Sequence, residues 1–349
     1  MLDYYLEREA TLGGGIVTEF VQLIEQFSFS DQNSSSFRFE IVIFGGGGFI
    51  GSHLVKHLCR ESCQINIVSR EYVSSSPLFF ASEPGQIKVK KIKTFDQQNI
   101  DAQIYGCDIV FNLIGILAES KKAKFNFVHQ KIPEMIANGV KKNKVKSFVH
   151  VSALNVNKIR NSYYANSKYL GEKIIREIFP SAVIIRPGVV FGKGDNFTNF
   201  FSFISKFSPF LPLIGTPDIK LTDGILNIFD FTKKVKFQPL YVGDLVQFLI
   251  GTCNEKNKTY DVVGPVIKSF AEIFDVILKH QGKRRLYLPL PFFAANIVAF
   301  FLEILPSPLL TRDQIKLLHY DSVSAKGLVN LKRIVKNPAS METIVRNYL

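Results

Sequence analysis

The run Ile41-Val-Ile-Phe-Gly-Gly-Gly-Gly-Phe-Ile-Gly51 constrains this chain most, because it sets Gly45, Gly48 and Gly51 where an apolar strand must turn straight into a helix. Glu40 to Phe44 is short, β-branched and apolar, as a strand requires. Ser52 to Arg60 carries Leu54, Val55 and Leu58 at helical spacing. The three glycines then have separate tasks. Gly45 supports the tight turn, Gly48 lets the backbone approach a pyrophosphate without a Cβ in the way, and Gly51 lets the helix pack on the strand. The negative pyrophosphate would rest on the free N–H groups and positive dipole end of that helix, with Phe49, Ile50 and Gly51 among the residues that bind the cofactor. A glycine-rich loop without a ligand is the plainer alternative. The strand before and the helix after favour the nucleotide.

From Arg38 onward strands and helices alternate, which implies an α/β fold: a doubly wound parallel sheet of the Rossmann type with helices on both faces. The strands expected are Glu40 to Phe44, Gln64 to Ser69, Ile87 to Lys91, Ile109 to Leu113, Ser147 to Val151 and Ala182 to Ile185. Helices are expected at Ser52 to Arg60, Phe125 to Asn143 and Tyr163 to Ile178. After Gly192 the pattern dissolves into Phe- and Pro-rich segments, which suits a smaller, partly helical C-terminal lobe. The division expected is an N-terminal extension and linker (1–37, with a short helix around 17–27), a nucleotide-binding domain (38–192, to which segments near 237–250 return) and a substrate or partner lobe (193–349).

With 349 residues, 46% of them hydrophobic and 21% charged, the chain is a globular protein and not a disordered one. Its 43 Lys and Arg against 30 Asp and Glu give a net charge of +13. The basic runs are dispersed and no nucleic-acid-reading motif accompanies them, so a solvated basic surface comes first and a membrane-facing one second. Cys59, Cys63, Cys107 and Cys253 are scattered and read as reduced structural thiols. His53 and His57 share a helix face but lack a third ligand, so no metal is expected. The acidic N-terminus resembles neither a secretory signal nor a transit peptide, which leaves a cytoplasmic protein as the expectation. The uncharged run Leu286 to Leu302 is too short to span a bilayer, which takes roughly 20 residues.

Three further stretches carry chemistry. At the end of the second strand an NAD site would usually offer a carboxylate to the ribose hydroxyls, and this chain has Ser69 and Arg70. A hydroxyl and a guanidinium suit a 2′-phosphate, so NADP(H) is preferred, with NAD(H) as the alternative. Leu113 and Gly115 follow the fourth strand, where the backbone passes the nicotinamide side of such a cofactor. Tyr164 and Lys168 lie at i and i+4 on one helix face. The ammonium favours phenolate, lowers the phenol pKa and can hold a ribose hydroxyl, which suits proton transfer with a substrate alcohol.

With these motifs in order, Arg38 to about Val323 resembles the extended and atypical short-chain dehydrogenase/reductases. The Gly45/Gly48/Gly51 fingerprint, the Tyr164/Lys168 pair, Arg186-Pro187-Gly-Val-Val-Phe-Gly192 and Tyr241-Val-Gly-Asp244 stand where that family has them. Phe148-Val-His-Val-Ser-Ala-Leu-Asn155, Phe237 to Asp244, Leu288-Pro-Leu-Pro-Phe292 and Leu310-Thr-Arg-Asp-Gln314 are similar to one branch, the NAD(P)H-binding accessory subunits of respiratory complex I and their bacterial relatives. Residues 1 to 37 and an insertion at about 216 to 234 lie outside the likeness. The resemblance implies a lasting, structural NADPH, with Pro187 beside it. It also implies a C-terminal lobe docked on complex I or another membrane-associated assembly, peripheral on the cytoplasmic face of the inner membrane. For the hydroxyl that polarises the substrate oxygen, the candidate is Ser152, set unusually close in sequence to Tyr164 and followed by Ala153. The alternative implied is a soluble NADP-dependent reductase, epimerase or dehydratase with Tyr164, Lys168 and Ser152 as its catalytic residues.

Overall fold

A computed structural model describes residues 39–70, 82–215, 218–222, 225–230, 235–305 and 308–349. The helix expected around 17–27 falls outside them. Seven parallel strands form the main sheet: β1 (Phe39–Phe44), β2 (Cys63–Ser69), β3 (Ile87–Lys91), β4 (Ile109–Asn112), β5 (Ser147–Val151), β6 (Val183–Pro187) and β7 (Lys258–Val262). Their order is β7-β6-β5-β4-β1-β2-β3, so the chain reverses direction between β1 and β4. Ligands of such sheets lie at that switch point, beyond the carboxyl ends of the strands.

The sheet is parallel because both its faces are buried. Along β1, Ile41 and Ile43 enter one core cluster while Val42 and Phe44 enter another, the alternation a pleated strand imposes. The first cluster is roofed by α1 (Phe49–Leu58), α6 (Val242–Gly251) and α10 (Ala325–Lys332), through Leu54, Val55, Leu58, Leu245, Phe248 and Leu331. The opposite face is covered by α2 (Gln97–Ile104), α3 (Ile132–Lys142) and α4 (Tyr163–Ile178), through Ile100, Ile104, Ile136, Val140 and Ile175. This is the doubly wound architecture expected of the sequence.

Three elements differ from the expectation. The helix α2 lies where none was expected; Asp96 caps it by accepting from the Asn99 N–H, and its apolar content is only Ile100 and Ile104 among buried residues. The strand β7 comes from the supposedly irregular C-terminal part and pairs with β6, Tyr260 opposite Ile185. The single long helix expected from Phe125 to Asn143 instead contains one π-helical turn near its start, Phe127–Lys131, that runs into α3.

A third cluster, rich in phenylalanine, joins α5 (Asn196–Phe207), α7 (Phe270–Gln281) and α8 (Phe292–Leu302) around Phe201, Phe270, Phe274, Ala295 and Ala299. Within the expected insertion, Asp218–Thr222 and Ile225–Asp230 pair antiparallel. The apolar run from Leu286 makes a strand, Leu286–Leu290, parallel to Phe210–Ile214, and then α8. Only Ala295 and Ala299 of α8 are buried, whereas Phe293, Ile297, Phe300 and Phe301 are exposed. Among the described residues no helix is long and apolar enough to cross a membrane.

Candidate dinucleotide-binding site

The glycine turn is built by steric necessity at two positions and left open at a third. Gly45 has φ +83°, and a Cβ there would lie 3.1 Å from the Leu113 carbonyl carbon. A Cβ on Gly51 would strike the Gly45 carbonyl oxygen and stand 2.6 Å from Gly46 Cα. Gly48 is exposed, and the one atom near its would-be Cβ is the Gly45 oxygen at 3.3 Å. Among the described residues no protein group therefore requires glycine at 48, whereas a ligand backed onto the turn would. Gly48 begins α1 in an extended conformation, no side chain caps the helix, and its first turn carries no acid. The N–H groups of Phe49, Ile50 and Gly51 are thus suited to an anion.

Beside this cradle, β2 runs in register with β1, Val68 opposite Phe44, so Ser69 and Arg70 stand just past the same end of the sheet. Arg70 is exposed. On the other side of β1, Leu113 donates its N–H to the Phe44 carbonyl at 2.9 Å. Asn112 is buried; its Oδ1 accepts from the Ile114 N–H at 3.1 Å, while its Nδ2 has no partner among the described residues. Pro187 closes β6, buried, with its carbonyl accepting from the Leu154 N–H. The half-buried Arg186 beside it grips Glu172 of α4 with Nε and Nη2.

Lys168 reaches inward from α4 to the end of β5, where Nζ donates to the Val151 carbonyl at 3.1 Å. The same Nζ would lie 3.0 Å from a Cβ on Gly115, which brings the β4 loop and α4 together. Burial depresses the Lys168 ammonium to about 8, against a smaller opposing pull from Glu172. Tyr164 corrects the expectation of a lowered phenol: desolvation pushes it up to about 12, and no charge offsets that. Lys168 is buried and Tyr164 half-buried, so desolvation governs both groups. Ser152 is buried next to Val151, with its N–H bonded to the Ile185 carbonyl and its Oγ without a partner among the described residues. Leaving a buried hydroxyl unpaired costs free energy.

Two neighbours escaped the sequence reading. His129, on the π-helical turn, has its ring stacked on Phe125 at 5.3 Å and set edge-on to Tyr164 at 5.5 Å. Asp313, at the start of α9 (Arg312–Leu318), accepts from the Tyr163 and Tyr164 N–H groups and from Ser162 Oγ at 2.8 to 2.9 Å. It therefore closes the N-terminus of α4 from far along the chain. Of the helix-face histidines, His53 donates Nε2–H to the Lys193 carbonyl at 3.0 Å, which ties α1 to the segment after β6. All four cysteines are buried and free.

An open glycine turn into an uncapped helix, at the switch point of a seven-stranded parallel sheet, defines a NAD(P)-binding Rossmann protein of the short-chain-dehydrogenase type. The chain belongs to the NAD dependent epimerase/dehydratase family, whose pattern matches residues 41–258. It is similar to NADH dehydrogenase [ubiquinone] 1 alpha subcomplex subunit 9 of mouse, 29% identical over 86% of this chain and 77% of the relative. The NADH-ubiquinone oxidoreductase 40 kDa subunit of Neurospora crassa is 26% identical over 88% and 78%. Among solved structures, the NADPH-dependent quinone oxidoreductase QOR2 of Escherichia coli, complexed with NADPH, matches with a TM-score of 0.67 at 13% identity, covering 88% of this chain and 99% of that one. MoeE5 in complex with UDP-glucose and NAD gives 0.63 at 12%, covering 88% and 96%. Both structures share the fold.

Proposed function

We propose that this protein binds NADP(H) as a stabilising ligand and serves as an accessory subunit of respiratory complex I or a related membrane-associated assembly, peripheral to the membrane. The observation that carries the nucleotide is the open cradle at Gly48, which no neighbour among the described residues fills. The assembly rests on the mouse and Neurospora relatives, whose names assign them to that enzyme. The exposed apolar face of α8 supports the docking, since a face of this size seeks a cover.

In this reading the N–H groups of Phe49, Ile50 and Gly51 hold the pyrophosphate. Ser69 and Arg70 take the 2′-phosphate, and Leu113, Gly115 and Pro187 border the nicotinamide half. Lys168 holds a ribose hydroxyl. Ligand that binds only the native state adds its binding free energy to stability. The test is native-gel separation of mildly solubilised membranes from the source cell, with nucleotide extracted from the band. Co-migration with complex I activity and recovery of NADPH are expected; a free species without nucleotide overturns the reading.

A second reading, a soluble reductase, epimerase or dehydratase, is favoured by the unpartnered Ser152 Oγ and by the protonated Tyr164. Bound nicotinamide would supply hydride chemistry. Tyr164 would donate a proton to a substrate oxygen, and Ser152 would orient that oxygen. Turnover of NADPH that is lost in Tyr164→Phe with binding retained would select it.

A further inference from the structure

We infer that His129 is a positioning residue, which sets the Gly115–Ile116 loop and the backbone of Tyr164 relative to each other through a directed chain of hydrogen bonds. The inference deepens the reading above, because it concerns the nicotinamide side of the same site.

The direction of the chain follows from valence alone. Ile116 N–H can only donate, and its acceptor is His129 Nε2 at 3.1 Å. A bare Nε2 leaves the neutral ring's proton on Nδ1, which lies 2.8 Å from Ser167 Oγ. The Ser167 hydroxyl thus accepts from the ring and passes its own proton to the Tyr164 carbonyl, again at 2.8 Å. Each donor meets one acceptor from the β4 loop to α4. A protonated ring would lose the Ile116 bond, and burial together with the Lys168 charge holds the imidazole neutral, pressing its pKa down to about 2.

The surrounding backbone is shaped to bring this ring in. The π-helical turn at Phe127–Lys131 inserts an extra residue into the turn, a device common at functional sites. A Cβ on Gly171 of α4 would run into the His129 carbonyl, so that glycine permits the close approach of the two backbones. Phe125 and Tyr164 then fix the ring plane. A Cβ on Gly115 would lie 3.0 Å from Lys168 Nζ and 3.9 Å from His129 Nε2, so both groups border the face that the loop presents.

The experiment compares the full chain with His129→Phe, which keeps an aromatic ring between Phe125 and Tyr164, and with His129→Gln, which restores one acceptor and one donor. Affinity is measured for NADPH and for 2′-phospho-ADP-ribose, which lacks only the nicotinamide. Ring nitrogen NMR and amide exchange at Ile116 are recorded without nucleotide. We expect a protonated Nδ1 and a bare Nε2 that do not titrate between pH 5 and 8. In His129→Phe, Ile116 exchange should rise and NADPH should weaken about tenfold, with the nicotinamide-free ligand changed less than about twofold, and His129→Gln should recover most of both. A protonated Nε2, unchanged Ile116 exchange, equal weakening of both ligands or no recovery by Gln overturns the assignment. Failure of the unaltered chain to bind either nucleotide would overturn the proposed function instead, and the NMR and exchange data would still judge His129.

Discussion

Substituting alanine at Gly48 and at Gly51 separates what the fold needs from what a ligand needs. At Gly48 the backbone, φ −79° and ψ 179°, is open to alanine, and the added methyl meets only the Gly45 oxygen at 3.3 Å. Alanine there loses up to about 1 kcal/mol as a helix cap and regains about 0.4–1 kcal/mol from a stiffer unfolded chain. Net stability should move by less than about 1 kcal/mol. At Gly51 the methyl would collide with two backbone groups of the turn, which cannot rotate away, so the cost should reach or pass about 3 kcal/mol. Nucleotide changes the comparison. NADPH at a hundred times its Kd stabilises the native state by about 2.7 kcal/mol, and a hundredfold weaker site retains only about 0.4. Urea unfolding with and without NADPH should show Gly48→Ala near native without ligand and nearly blind to its addition. Full NADPH stabilisation in Gly48→Ala would refute the cradle, and an undisturbed Gly51→Ala would refute the steric argument.

Three other expectations follow from the same geometry. Because Lys168 titrates near 8 when folded and near 10.5 when unfolded, the unfolded chain binds more protons in between, so stability should rise with pH across that window by at most about 1.4 kcal/mol per unit; Lys168→Met should flatten the rise in urea unfolding, and parallel curves would count against it. Arg70→Asp should weaken NADPH about tenfold more than NADH by calorimetry, and an unchanged ratio would remove the 2′-phosphate from Arg70. Asp313→Ala should destabilise by about 1–2 kcal/mol and speed amide exchange at Tyr163 and Tyr164, and unaltered exchange there would show that α4 does not depend on that carboxylate.

The elements legible in the sequence were those whose signal is local. The glycine turn, β1 to β6 and α4 announce themselves by turn chemistry and apolar runs, and α4 begins and ends where the spacing places it. The helix α2 was hidden because its two buried isoleucines are too few to set a period. The strand β7 was hidden because the charged Lys258 and Asp261 interrupt it, and only β6 beside it makes it a strand. The environment of Tyr164 could not be read either: its phenol answers to desolvation, a property of packed neighbours, while the spacing to Lys168 shows only which face they share. The π-helical turn leaves no mark in the pattern, since it shifts a helix by a single residue.

The reach of Asp313 back to α4, 149 residues from Tyr164, also bears on how the chain is born. Translation at about 5–20 residues per second separates the emergence of these partners by roughly 7 to 30 s. Until the last third of the chain emerges, β6 lacks β7, one sheet face lacks α6 and α10, and α4 lacks its clasp. The nascent protein thus holds a bare sheet edge and an uncovered apolar face until its last third leaves the ribosome. Nonsense mutations and stalled messages in that final stretch should yield chaperone substrates and aggregates, not a nucleotide-binding fragment.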